Sequence, residues 1–173
     1  MQYPSILFMQ DSGNKFSIMP IDFQQLMEPA LQEGRKGLEK GEVPVGAVLA
    51  GPDGKIIARA HNQPVSKQDP TAHAEILVLR KAGALQGNYR LLDCTLVVTI
   101  EPCPMCMGAA LNARISRLVF GAFDPKAGAA GSLYNLAEDS RLNHRIEVIS
   151  GVMEKECADQ LRDFFRARRG KQS

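Results

Sequence analysis

Ile100-Glu101-Pro102-Cys103-Pro104-Met105-Cys106, read together with Thr71-Ala72-His73-Ala74-Glu75, is the stretch around which this chain is organised. The first segment carries Pro-Cys-x-x-Cys, two thiols three positions apart; the second carries His-x-Glu. Thr95 to Ile100 is an almost unbroken apolar run, which predicts a strand covered on both faces. Cys103 to Ile115 has helical spacing, and Pro102 and Pro104 suit a helix entry. The cysteine pair therefore sits where a strand turns into a helix. Ala72 to Ala84 predicts a second helix that begins beside His73 and Glu75.

Working outward, Asp22 is a plausible cap for a helix carrying Phe23, Leu26, Met27, Ala30, Leu31 and Leu38 and ending near Gly41. Pro29 predicts a kink, or a helix start after it. Val43–Ala50 and Lys55–Ala60 flank the turn Gly51-Pro52-Asp53-Gly54 and read as a hairpin. His61–Pro70 reads as polar loop. After the cysteine helix come a strand at Arg117–Ala122, a Gly/Ala-rich loop at Gly121–Gly131, a short helix at Leu133–Glu138, a strand at Arg145–Ser150 and a last helix at Glu154–Arg169. This order predicts an α/β fold: a three-layer α/β/α sandwich with a central mixed five-stranded sheet, mostly parallel after the opening hairpin. Residues 1–20 have weak pattern and read as an extension, leaving 21–173 as the domain.

At 173 residues with 45% hydrophobic content, one domain with a sizeable core is expected. A net charge of +2 excludes bulk polycation behaviour, so any nucleic acid must be held by a local patch. The four cysteines are Cys94, Cys103, Cys106 and Cys157, a set that fits metal or redox chemistry better than a disulfide framework. Asp11, Asn14 and Lys15 break up the N-terminal residues, which do not read as a secretory signal, and no run is long enough to span a membrane. The expectation is a cytoplasmic enzyme.

Thiolate is the metal-binding form of cysteine, and a helix N-terminus favours it at Cys103 and Cys106. With His73 these make three ligands. A structural zinc is normally closed by four protein ligands, whereas a catalytic zinc keeps a position for water and brings that water's pKa to about 7. Glu75 then reads as the group that takes the water's proton and hands it to a substrate nitrogen. A redox pair and a structural zinc are the competing readings. No thioredoxin-like context precedes the pair, and the fourth-ligand candidates His61, Cys94, His144 and Cys157 lack ligand spacing. The joint pattern, with 30 positions between His73 and Cys103, matches the hydrolytic zinc-deaminase signature H-x-E…P-C-x-x-C.

On these residues the chain resembles the cytidine deaminase superfamily, and within it the bacterial tRNA-specific adenosine deaminases. The resemblance runs from about Asp22 to Arg169 and includes Glu42–Val48, Asp69–Ile76, Glu101–Cys106, Ala113–Ile115, Phe120–Ala122, Lys126–Ser132, Leu142–His144 and Phe164–Arg166. It implies a cytidine deaminase-like fold, with one zinc per subunit held by His73, Cys103 and Cys106 and a proton shuttle at Glu75. It also implies that Asn62 and the Ala74 amide meet the base, and that the reaction converts adenosine at the first anticodon position of tRNA to inosine. The family is homodimeric and grips the anticodon stem-loop near the dimer interface. Met107, Asn112 and Phe123 depart from the expected pattern without touching the metal chemistry.

The partner is less directly written than the chemistry. Arg162, Arg166, Arg168 and Arg169 lie beside Phe164 and Phe165 at the C-terminal helix, and basic residues with aromatics suit phosphates and bases. Lys126, His144 and Arg145 could extend that patch. The same arginines also complement a helix dipole, a Phe pair suits core packing, and His144 suits a structural hydrogen bond. Alternative functions are deamination of a free base or nucleoside, such as guanine or cytosine, or an RNA-binding module with a structural zinc.

Overall fold

The structure, a computed structural model, describes residues 21–170. The expected extension at residues 1–20 lies outside the described residues. Ten elements follow in order: α1 Phe23–Glu39, β1 Gly46–Ala50, β2 Ile56–His61, α2 Pro64–Lys67, α3 Ala74–Gln86, β3 Thr95–Ile100, α4 Pro104–Ala113, β4 Arg117–Ala122, β5 Glu147–Ile149 and α5 Glu154–Arg169. The five strands form one sheet in the order β2-β1-β3-β4-β5. β1 is antiparallel to both β2 and β3, while β3, β4 and β5 run parallel. The mixed sheet and its three layers are as expected from the sequence pattern.

Side chains alternate across the strands, so successive residues feed two cores. Leu96 and Val98 of β3, with Leu118 and Phe120 of β4, pack under α3 and α4 beside Ala74, Val78, Met107 and Ala110. Val97 and Val119 face the other way, onto Leu26, Met27, Ala30 and Leu31 of α1 and Cys157 of α5. Burial of every residue of β3 explains its unbroken apolar run. Gly46 is required where α1 crosses β1: a Cβ there would lie 2.0 Å from the Ala30 carbonyl oxygen.

The expected Asp22 cap forms: its carboxylate accepts the Gln24 N–H at 2.9 Å, and α1 starts at Phe23 with Pro29 inside it, not after Pro29. Two local expectations need correction. The expected helix at Leu133–Glu138 does not form. That segment folds back through an Ala130–Asn135 bridge, and Leu133 and Leu136 donate to the Gly128 and Ala129 carbonyls. The strand expected at Arg145–Ser150 pairs only over Glu147–Ile149. In addition, the polar loop after β2 contains the single-turn helix α2, with Pro64 as its first residue. No helix among the described residues is long and apolar enough to cross a membrane.

Candidate metal centre and base pocket

His73 and Cys103 are the N-cap residues of α3 and α4, both in extended conformation. Cys106 lies one turn into α4 and is fully buried. The two helix starts thus deliver one nitrogen and two sulfurs to the same point. Cys103 Sγ lies 3.7 Å from Cys106 Sγ, and His73 Nδ1 is 3.8 and 3.5 Å from the two sulfurs. A tetrahedral zinc with bonds of about 2.3 Å to sulfur and about 2.0 Å to nitrogen has S–S edges of about 3.8 Å and S–N edges of about 3.5 Å. The trio therefore has the dimensions of one face of a zinc tetrahedron. Among the described residues it is the one His/Cys/Asp/Glu group whose ligand atoms all approach within 4.8 Å.

The electrostatics agree with this geometry. The neighbouring Cys106 thiol and the His73 ring hold the Cys103 thiol down, to about 4, against burial. Its thiolate and the burial of Cys106 push the Cys106 thiol up. A divalent ion would take both sulfurs as thiolates. Hydrogen bonding to Cys103 and the nearby Glu75 charge raise His73.

Glu75 is the second residue of α3. Because His73 is extended and Glu75 helical, side chains two positions apart line one pocket instead of diverging. Glu75 is 4% exposed, and its Oε2 is buried with no hydrogen-bond partner. Burial raises its carboxyl above the usual carboxylate range. A buried, unspent carboxylate oxygen costs stability, and such groups mark sites of chemistry.

Asn62 closes the pocket from the end of β2. Its Oδ1 accepts the Ala74 N–H at 2.8 Å, which also fixes the side-chain amide orientation. The Ala74 amide is therefore engaged by Asn62, and the Asn62 Nδ2 group, without a partner among the described residues, is the donor left to the pocket. Glu42, 1% exposed, holds the next turn by accepting the Val65 and Ser66 N–H groups at 3.2 and 2.7 Å. The pocket measures about 260 Å³ and is walled by Val43, Val45 and Ile100.

Sequence reasoning missed the opposite wall. Glu101, 3% exposed, accepts the N–H groups of Asp124, Ala130 and Ser132 at 3.1, 3.0 and 2.9 Å, and also the Ser132 hydroxyl. Burial works against its ionisation, but these bonds outweigh it and hold its carboxyl below the ordinary value. A Cβ on Gly128 would lie 2.3 Å from the Glu101 carboxyl carbon. Glu42 and Glu101 carried no sequence signal of these roles, because their backbone donors lie 23 to 31 positions away.

A groove of about 530 Å³ shares Val43, Val45, Ile100 and Asp124 with this pocket and continues it to Phe123, Lys126, Phe165 and Arg169. The aromatic pair of α5 divides: Phe165 is exposed in this groove, while Phe164 is buried with the Arg168 guanidinium over its ring. Arg166 is paired to Asp163. His144 Nε2 bonds the Ile115 carbonyl at 2.7 Å, and Arg145 is exposed away from the groove lining. None of His61, Cys94, His144 or Cys157 joins the metal trio. His61 is bonded to Glu33, and Cys94 and Cys157 are buried in the two cores.

A His/Cys/Cys face with a buried carboxylate beside it, at two helix starts above a mixed sheet, defines a metal-dependent hydrolytic deaminase. The family model for the cytidine and deoxycytidylate deaminase zinc-binding region matches residues 21–122. A tRNA-specific adenosine deaminase of Bacillus subtilis is 52% identical over 145 residues, covering 84% of this chain and 89% of the relative. A solved structure from studies of A-to-I editing by tRNA:A34 deaminases at the wobble position superposes with a TM-score of 0.76 at 46% identity, covering 79% of this chain and 99% of the other. A guanine deaminase from Bacillus subtilis superposes with a TM-score of 0.58 at 38% identity, covering 64% of this chain and 71% of that one. The chain belongs to the zinc-binding deaminase family and, within it, to the tRNA-specific adenosine deaminases.

Proposed function

We propose that this protein converts adenosine to inosine at the first anticodon position of tRNA by hydrolytic deamination, in the cytoplasm, as a homodimer with one zinc per subunit. The observation that carries the reading is the 52% identity to a tRNA-specific adenosine deaminase over 145 residues, 84% of the chain. The base pocket that opens into a basic, aromatic groove adds to it. An anticodon loop supplies an unpaired base at little cost.

His73, Cys103 and Cys106 would hold the zinc, which when bound supplies a Lewis acid that makes water nucleophilic near neutral pH. Asn62 donates from Nδ2 to the purine edge, fixed by its bond to Ala74. The apolar walls Val43, Val45 and Ile100 exclude bulk water and sandwich the ring. Glu75 takes one proton from the attacking water and gives it to the ring nitrogen, then carries the water's second proton to the amino group, which leaves as ammonia as its bond to the ring carbon breaks. The raised affinity of Glu75 for a proton suits a group that must hold and release one. Phe165, Lys126 and Arg169 receive the flanking nucleotides and phosphates. The second subunit is assigned to the α3–α4 face, where a shallow groove is lined by Leu79, Tyr89, Ala109 and Ala113.

The test is a tRNA transcript with adenosine at the first anticodon position, incubated with the zinc-loaded protein and sequenced for inosine. Inosine at that position, with free guanine and cytosine untouched, is the expected result. Turnover of a free base without inosine in tRNA overturns the reading.

A further inference from the structure

A second concavity lies on the other side of the His61–Lys67 segment from the base pocket. It measures about 650 Å³ and is bounded by α1, β2, α2 and α3. Each of the four elements contributes one cation to its lining: Lys36, Arg59, Lys67 and Lys81. The acid in the lining, Glu33, is already spent. It accepts from Lys36 at 2.6 Å and bonds the His61 ring at 3.2 Å. Arg59, Lys67 and Lys81 have no carboxylate partner among the described residues, although eight other lysines and arginines here do. Separate elements that turn unpaired cations into one concave space focus a positive field and favour an anion. The excess is local, since the whole chain carries only +2.

The position relates this charge to the substrate. Asn62 and Pro64 line the base pocket, while His61 and Lys67 of the same short segment line this cavity. The groove at Lys126 and Arg169 instead shares Val43, Val45, Ile100 and Asp124 with the pocket, none of which lines the cavity of Arg59, Lys67 and Lys81.

We propose that this β2-edge cavity is a phosphate-binding site for the tRNA backbone outside the edited base, so that the substrate is held by basic sites on both sides of the catalytic pocket. The proposal rests on the tRNA reading above. It is tested by binding of full-length tRNA at a series of salt concentrations, comparing wild type with Arg59→Ser/Lys81→Ser. Each phosphate contact contributes a slope of about 0.7–0.9 in log affinity against log salt. The double variant should therefore lose about 1–2 from that slope and bind tRNA about tenfold more weakly at low salt. Its inosine yield at saturating substrate should stay that of wild type. Lys55→Ser removes a charge in the β1–β2 turn, outside the cavity, and should leave the slope unchanged. A wild-type slope in the double variant, or an equal loss in Lys55→Ser, overturns the proposal. Failure of the wild type to form inosine overturns the functional reading instead, which the binding slopes do not measure.

Discussion

Glu75 and Glu101 are both buried carboxylates lining the same small pocket, and they are in opposite condition. Glu101 accepts three backbone N–H groups and a hydroxyl, and its carboxyl is held low. Glu75 has an oxygen with no partner, and its carboxyl is pushed up by burial. Folding tolerates the first because hydrogen bonds repay desolvation. It tolerates the second although burial outweighs the nearby His73 and Cys106 and leaves Oε2 without a hydrogen-bond partner. One carboxylate builds the pocket wall; the other is left available for chemistry.

The predictions that break or sharpen this contrast descend in size. Cys103→Ala should lose zinc altogether, because two protein ligands hold the ion poorly, and turnover should vanish with it. Full occupancy by metal analysis would show the trio to be wrong. Glu75→Gln should slow inosine formation about 10²–10⁴-fold, the scale of positioned acid–base catalysis, with no loss of thermal stability. Unfolding of Glu75→Gln at lower temperature than wild type would make Glu75 a structural residue like its neighbour. Glu101→Gln should instead cost about 2–4 kcal/mol of stability in urea unfolding, since several buried N–H groups lose their ionised acceptor. An unchanged unfolding midpoint would remove the contrast from that side. Asn62→Ala should weaken the enzyme about tenfold to a hundredfold in kcat/KM, by removing the base contact and freeing the Ala74 amide.

The smallest effect concerns pH. Glu42 belongs with Glu101: burial opposes its ionisation, but the Ser66 and Val65 N–H groups outweigh it, so its folded value lies below 4.5. A lowered carboxylate contributes stability above its unfolded value and loses it as pH falls through the folded one. Wild-type stability should therefore drop more steeply than that of Glu42→Gln below about pH 4.5. Parallel curves would contradict the assignment.

The metal trio was legible because its chemistry is local. Both motifs straddle helix starts, and a strand run followed by Pro-Cys or a loop followed by His-x-Glu announces such a junction. The strands β3 and β4 were legible at their ends for the same reason, being short apolar runs with sharp polar limits. What failed depends on distant partners. Leu133–Glu138 has helical composition, but Glu101 and the Gly128–Ala130 backbone bind the loop around it more strongly than one helical turn can bind itself. The division of Phe164 from Phe165 was likewise hidden, because adjacent residues of a helix differ in burial only once the helix has something to lie on.

The claim at the centre is that Glu75 moves protons beside the metal without holding it. Zinc content of purified Glu75→Gln, measured per chain against wild type, tests this most directly. The account predicts the same zinc as wild type in a protein that forms almost no inosine. Loss of zinc from that variant would make Glu75 a ligand and contradict it.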